Sequence, residues 1–177
     1  DLVRFVLYKQ AQFDDFETTP ITGDSLARIV MKRVTGVGGI FVSEGTMSLK
    51  NCVLWNNTGS TGVTETDQIS HDGAVVFSFC SVEGWSGQHD GFGNGSFDPL
   101  FVDPDGRDNV LGTADDDYRL GAGSPCIDAG DSAEAQVCEL DLRSDVRIVD
   151  DPATSDSGTG FPVIDLGCYE YGSTPAT

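Results

Sequence analysis

The sequence has few basic residues, and this scarcity excludes two classes of partner. It holds 10 Lys and Arg against 29 Asp and Glu, which gives a formal net charge of -19 at pH 7. Such a surface repels phosphate backbones and anionic lipid, so nucleic acid is not expected as a partner. Dense carboxylates also repel one another in the folded state, which a bound cation such as calcium relieves. The alternative is a solvated acidic surface that only keeps the chain soluble.

Long apolar runs and metal-binding cysteine pairs are also missing. No apolar stretch approaches the roughly 20 residues that would cross a bilayer, so no membrane span is predicted. The five cysteines include no C-x-x-C pair, and the only histidines are His71 and His89. A structural zinc site is therefore not expected. The chain begins at Asp1 and not at Met, which predicts a mature or truncated piece of a longer protein.

What the chain does have is an internal repeat. Residues 40–56 (IFVSEGTMSLKNCVLWN) align without a gap on residues 68–84 (QISHDGAVVFSFCSVEG), at an offset of 28 residues. The apolar columns of the two copies match: Met47 over Val75, Leu49 over Phe77 and Leu54 over Val82. A period of this size, built from short alternating strands, is typical of a solenoid in which each coil lies on the previous one.

Composition divides the chain into four predicted parts. Residues 1–35 form an N-terminal cap or an irregular first coil, in which a short helix could run through residues 26–34. Residues 36–102 form the coils, residues 103–171 an acidic, loop-rich region packed on them, and residues 172–177 a tail. Within these parts, residues 84–98 are predicted to be a long loop, and residues 98–103 and 163–171 to contain short strands.

The candidate metal site is an acidic cluster that follows the repeat. Its carboxylates are Asp103, Asp105, Asp108, Asp115 and Asp117. Calcium takes about six to eight oxygen ligands, which closely spaced carboxylates on a glycine turn can supply. The spacing is not that of an EF-hand, because Gly106 comes too early and the final Glu is absent. Ca2+ is the predicted cofactor, and the alternative is a solvated turn whose Asp residues cap backbone donors. Asp128 and Asp131 could be further ligands, but cap or Asx-turn roles are favoured.

Three residues of the repeat are candidates for catalysis. Lys50 faces solvent and could be the base of a polysaccharide lyase, although a single Lys on a strand more often serves solubility. Glu44 and Asp72 share a column, but about 5 Å between coils is too close for the pair that an inverting hydrolase needs. They could instead share a cation. Residues 23–26 spell GDSL, but no strand precedes them and no Asp-x-x-His follows, so a GDSL-like esterase is the last alternative.

The cysteines leave two pairings open. Cys52 and Cys80 share a column at a separation that a disulfide spans, but their side chains point the same way, and stacked buried thiols are the alternative. One bond among Cys126, Cys138 and Cys168 would pin the C-terminal region, and Cys138–Cys168 is favoured. Because the count is odd, one thiol is left to stay free or to link chains.

Four phrases in order resemble one protein family. They are NCVLWNN, DPLFVDPDGRDNVLGTADDDYRL, GSPCIDAGD and IDLGCYEY, and the resemblance covers about residues 36–171. The set resembles the C-terminal part of secreted bacterial right-handed parallel β-helix proteins, the pectate-lyase-like group, with a choice-of-anchor Q-like module. The resemblance implies an all-β fold, a right-handed single-stranded parallel β-helix (a short solenoid) with an irregular acidic C-terminal region, and an extracellular or cell-surface location. It does not imply one activity.

The leading expectation is a secreted or cell-surface module with a structural or glycan-binding role, stabilised by calcium and not catalytic. Its expected partner is a polysaccharide or a cell-surface component. One alternative is a polysaccharide lyase or glycoside hydrolase of pectate-lyase-like fold, which would need basic and acidic side chains converging on one solvent-facing sheet. Another is an assembly protein that self-associates through its coil ends.

Overall fold

Short strands separated by turns make up most of the regular structure. The computed structural model describes residues 6–8, 39–42, 45–58, 62–111, 113–133 and 140–174. The elements, in chain order, are β1 (Val6–Tyr8), β2 (Ile40–Val42), β3 (Thr46–Lys50), β4 (Val53–Trp55), α1 (Glu65–Gln68), β5 (Ile69–His71), β6 (Ala74–Ser78), β7 (Ser81–Val82), β8 (Asp90–Phe92), β9 (Phe101–Asp103) and β10 (Asp117–Leu120).

The strands form four separate short sheets. Three are parallel, with strand orders β1-β4-β7, β2-β5 and β3-β6-β8, and the fourth is the antiparallel pair of β9 and β10. The predicted right-handed single-stranded parallel β-helix is therefore wrong: within the described ranges each sheet ends after two or three strands, and the chain then turns antiparallel. Two copies of the repeat supply too few strands to stack into a solenoid, which needs about three repeats or more.

The register inside the parallel sheets follows the repeat. Met47 pairs with Val75 and Leu49 with Phe77 between β3 and β6, and Leu54 pairs with Val82 between β4 and β7. The predicted apolar columns are thus confirmed as strand pairings. The corners repeat as well: two pairs of residues 28 apart share left-handed backbone angles, Asn51 (φ 52) with Phe79 (φ 50) and Asn56 (φ 57) with Gly84 (φ 74).

Two apolar clusters form the core. The first holds buried residues from all three parallel sheets, among them Val42, Leu49, Leu54 and Phe77. The second joins β4 to the C-terminal region, and its buried members are Val53, Phe79, Leu120, Cys126, Ile127, Ala129 and Leu166. Asn51 fixes this junction, because its side-chain amide donates to Asp131 O (3.1 Å) and accepts from Asp131 N (2.7 Å).

The strand positions confirm one local prediction and correct two others. Residues 98–103 contain β9 as expected, but the predicted loop 84–98 contains β8. Residues 163–171 are not a strand. Their backbone instead bonds separate segments, with Gly130 N donating to Ile164 O (2.8 Å) and Leu166 N to Cys126 O (2.9 Å). In the predicted tail, Thr174 O accepts a bond from Val146 N (3.1 Å).

The N-terminal part is described only at β1. This strand adds in parallel to β4, with Val6 opposite Val53 and Tyr8 opposite Trp55. The predicted helix at residues 26–34 and the GDSL tetrapeptide at residues 23–26 lie outside the described residues. The division of the chain at residues 35, 102 and 171 stays a prediction.

Candidate functional site

The outer side of the sheet β3-β6-β8 carries an aromatic ring among small and charged side chains. In β3, alternation buries Met47 and Leu49 and turns the residues between and beside them outwards. The parallel register then aligns the outward side chains in two rows: Ser48, Val76 and Asp90 in one, and Lys50, Ser78 and Phe92 in the next. We call this surface the outer sheet face.

Phe92 is the exposed ring of the outer sheet face. It is 64% exposed, although its position is fixed on one side. Its ring meets Phe79 edge-to-face, with ring centroids 5.2 Å apart and planes at 83°, and its carbonyl accepts a bond from Phe79 N (2.9 Å). An exposed aromatic side chain held in place at one edge presents an apolar surface of fixed orientation to a ligand.

Glycine and asparagine bring β8 close enough to pair with β6. Gly91 has φ +126, and a Cβ atom there would lie 1.5 Å from Phe77 O, so the pairing requires glycine. Asn94 ties the same strands, because its Nδ2 donates to Phe77 O (3.1 Å) and its Oδ1 accepts from Cys80 N (3.0 Å). Sequence reasoning missed Phe92 because these residues look like a glycine-rich loop.

The outer sheet face has the size and chemistry to take a sugar. Three strands at about 4.8 Å spacing put Lys50 and Phe92 about 10 Å apart across the face. An aromatic ring can stack on the C–H face of a pyranose, while hydroxyl, ammonium and carboxylate groups exchange hydrogen bonds with its hydroxyls. Ser78 lies between Lys50 and Phe92 in the same row, and Asp90 lies in the row beside it.

The structure does not bring the described catalytic candidates together. Lys50 pairs with Ser78 at one end of β6, whereas Asp72 precedes Ala74 at the other end. Four residue steps along the strand separate these ends by about 13 Å. At that distance Lys50 and Asp72 cannot both act on the same bond of a substrate. Glu44, the third candidate, lies outside the described residues.

The loop between β9 and β10 carries the predicted calcium ligands. Asp115 accepts hydrogen bonds from the Thr113 hydroxyl (2.7 Å) and from the backbone N–H groups of Arg107 (2.8 Å) and Asp108 (3.3 Å). These bonds, with that of Thr113 foremost, lower the pKa of Asp115. Gly106 lets the carboxylate approach, because a Cβ atom at this position would lie 2.7 Å from it.

Two of the other predicted ligands also have hydrogen-bond partners within the protein. Asp108 accepts a bond from Val110 N (2.9 Å), and Asp117 is bonded to the Arg119 guanidinium, which lowers the pKa of Asp117. The described part of the chain holds no group of three or more His, Cys, Asp or Glu side chains placed to bind a metal ion as it stands. Several of these carboxylates thus act as acceptors for protein donors, and calcium binding stays a prediction.

Thermal melts test the calcium prediction. If the loop binds calcium, the melting temperature in excess calcium should exceed that in EDTA by about 5 °C, since saturating a site at 100 times its dissociation constant adds about 2.7 kcal/mol. The double variant Asp103→Ala, Asp105→Ala should lose this difference, and Asp156→Ala, an exposed carboxylate outside the loop, should keep it. Coincident melts of the wild type would leave the cluster as a solvated turn.

The C-terminal region buries acidic groups that the sequence does not mark as unusual. Asp131 behaves as the predicted Asx-turn residue, with its Oδ1 accepting from Ala133 N (3.1 Å). Asp128 differs: it has no exposed surface and a left-handed φ of 50, and its Oδ2 has no hydrogen-bond partner in the structure. Burial, and then repulsion from Asp150, Asp156 and Asp151, raises the pKa of Asp128 to about 6.

We expect Asp128→Asn to stabilise the protein at pH 8 by about 1–2 kcal/mol, because it removes a buried charge and keeps the acceptor Oδ1. The folded pKa of Asp128 lies above the unfolded value of about 3.9, so its stabilising contribution is complete below pH 4 and is lost as the pH rises through 6. Asn also tolerates a left-handed backbone.

Urea unfolding at pH 4.5 and pH 8 checks this prediction. The gain from Asp128→Asn over the wild type should appear at pH 8 and shrink at pH 4.5. Asp156→Asn, which removes only one of the neighbouring charges, should give a smaller gain. A loss of stability at pH 8 in the Asp128 variant would contradict the account of this carboxylate.

The described cysteines form no disulfide. Cys52 and Cys80 are both buried, and the Cys52 thiol donates to Lys50 O (3.0 Å), so of the two alternatives the structure has stacked thiols and no disulfide. Burial, followed by the neighbouring Cys52, raises the pKa of Cys80 well above its usual value. Cys168 is a half-buried free thiol whose pKa burial raises to about 12. Its predicted partner Cys138 lies outside the described residues.

Comparisons with protein families, with curated proteins and with solved structures return no match for this chain. The resemblance to secreted pectate-lyase-like proteins therefore stays a prediction. Among the helices of the described residues, none is long and apolar enough to cross a membrane.

Proposed function

We propose that this chain is a non-catalytic glycan-binding module and that the outer sheet face is its binding surface. The observation that carries the proposal is Phe92, a ring 64% exposed yet held against Phe79, in one row with Lys50 and Ser78. Removing such a ring from water against a sugar favours binding, and the surrounding polar groups orient the ligand.

Charge favours a neutral glycan as the ligand. Lys50 is the only Lys or Arg between residues 39 and 106, and the whole chain carries a net charge of -19. A polyanion such as pectate or alginate would meet Asp90 on the outer sheet face and the negative charge of the whole chain, and would be repelled at low ionic strength. A neutral polysaccharide is not repelled in this way.

Binding without cleavage fits the positions of the catalytic candidates, since about 13 Å of strand separates Ser78, the partner of Lys50, from Ala74, which follows Asp72 by two residues. The proposal places the module outside the cell or at the cell surface, on the strength of the family resemblance alone. A role for calcium in stabilising it belongs to the same proposal and is tested separately by the melts described above.

Titration of the chain with soluble neutral polysaccharides (xylan, mixed-linkage β-glucan, galactomannan) and with pectate tests the proposal. We expect a neutral polysaccharide to bind and Phe92→Ala to weaken that binding about tenfold or more, which corresponds to a loss of about 1.4 kcal/mol. The ring is largely exposed, so the variant should keep its melting temperature within a few degrees.

Phe161→Ala is the matched control, because Phe161 is also an exposed phenylalanine (81%) but lies in the C-terminal region. It should bind as the wild type does. The proposal fails if the wild type binds none of the neutral polysaccharides, or if the two variants lose binding equally. Release of reducing ends or of unsaturated uronate products would show an enzyme and would also overturn it.

A further inference from the structure

The only two histidines of the chain lie side by side. His71 ends β5 and His89 precedes β8, 18 residues later in the sequence, yet their ring centroids are 5.0 Å apart. Trp85 and Phe77 also lie beside His89, with ring centroids 6.1 and 5.3 Å away. The folded chain therefore brings both of its imidazoles to one place, half covered by aromatic rings.

A buried carboxylate with an unused oxygen faces this pair. Glu65, in α1, is 3% exposed. Its Oε2 accepts bonds from the backbone N–H of Ser86 (3.1 Å) and from the Ser86 hydroxyl. Its Oε1 has no hydrogen-bond partner in the structure and lies 3.8 Å from His89 Nε2. A buried carboxylate oxygen without a donor is unfavourable unless a proton or a cation reaches it.

The hydrogen bond of His71 assigns the roles of its two ring nitrogens. His71 Nδ1 lies 2.6 Å from Gly73 O, so Nδ1 carries the hydrogen and Nε2 keeps its lone pair.

We propose that Glu65, His89 and His71 bind a divalent transition-metal ion of the zinc class. Two nitrogens and one carboxylate oxygen form a donor set that suits Zn2+, Co2+ or Ni2+, whereas Ca2+ and Mg2+ prefer oxygen alone. The site is separate from the outer sheet face and from the loop between β9 and β10.

Small movements complete the site. Bonds of about 2.1 Å to a tetrahedral zinc ion set two ligand atoms about 3.4 Å apart, and the Glu65 Oε1 to His89 Nε2 distance is already 3.8 Å. The side chain of His71 is exposed, and rotation about its side-chain bonds, which gives up the hydrogen bond to Gly73 O, can bring Nε2 to the ion. No group of three such side chains in the described residues is placed to hold a metal before this rotation. Ser86 keeps Glu65 oriented.

Isothermal titration of the full chain with ZnCl2, in a large excess of Mg2+ to occupy the acidic surface, tests the proposal. We expect one equivalent to bind per chain and each of His71→Ala, His89→Ala and Glu65→Gln to weaken binding at least tenfold. Co2+ should give the visible absorption of a low-coordinate site in the wild type and lose it in the variants.

Matched controls are Asp72→Asn and Asp90→Asn, which change the residue after each histidine and leave the donor set intact. Both should bind zinc as the wild type does. The proposal is overturned if the wild type binds no zinc, if His71→Ala binds normally, or if the controls lose binding as the ligand variants do. His71 is exposed, so its variant folds even if removal of Glu65 does not allow folding.

Discussion

Replacing Arg147 by alanine is expected to lower the free energy of unfolding by about 3–5 kcal/mol, because it breaks a buried ion pair from one side. Arg147 has no exposed surface. Its NH1 donates to Glu170 Oε2 (2.6 Å) and Tyr169 O (3.1 Å), and its NH2 donates to Asp165 O and Gly167 O (2.9 Å each). The Arg147 guanidinium thus bonds to four groups of residues 165–170 and holds this irregular segment together.

The loss of stability comes from the groups that Arg147→Ala leaves without their partner. Without Arg147, the Glu170 carboxylate stays 5% exposed with no cation, and three carbonyls lose their donor. Glu170 cannot simply turn to solvent, since its Oε1 also accepts from Val149 N (3.3 Å). Burial raises the pKa of Glu170 and Arg147 opposes this rise, so without the cation the carboxyl takes up a proton. This proton uptake and the three unsatisfied carbonyls cost more free energy than the methylene packing that alanine removes.

Arg119→Ala is the control. Arg119 forms an ion pair with Asp117, but its side chain is 47% exposed, so its removal should change stability by less than about 1 kcal/mol. Urea unfolding followed by tryptophan fluorescence measures both variants. Equal effects of the two would mean that Arg147 does not organise the C-terminal region. Glu170→Gln added to Arg147→Met should recover part of the loss, because neither residue is then charged.

The pairings of the repeat could be predicted from the sequence because they depend on local pattern. Alternation at Met47 and Leu49, together with the constant offset of 28 residues, determines which residues face each other. The fold class could not be predicted in the same way, because the pairing of the two repeat copies does not show how many further strands join each sheet. The resemblance implied a solenoid, and the described strands instead end in an antiparallel pair.

The missed features depend on contacts between distant parts of the chain. Phe92 sits in a glycine-rich segment that has no apolar alternation, and only the approach of Gly91 to Phe77 makes it a strand. Arg147 is one of ten basic residues, and its burial follows from four acceptors on residues 165–170 that no spacing rule indicates. The sequence also does not show that the Glu65 carboxylate lies close to the His89 ring.

Replacing Gly91 by alanine should destabilise the protein by about 2–4 kcal/mol and abolish the binding surface proposed on the outer sheet face. A Cβ atom at Gly91 would lie 1.5 Å from Phe77 O, and φ is +126, so the backbone cannot stay where it is. The movement should break the bond from Phe79 N to Phe92 O, which amide hydrogen exchange at Phe79 reports directly.

Gly45→Ala separates the two causes of this effect, because Gly45 also has a positive φ (+80) but nothing lies within 4 Å of its Cβ position. It should cost about 1 kcal/mol from backbone strain alone and leave exchange at Phe79 unchanged. Phe92→Ala should also leave exchange at Phe79 unchanged, because the strand is kept, but it should weaken glycan binding. If Gly91→Ala exchanges faster at Phe79 and still binds glycan as the wild type does, the ligand contacts another surface.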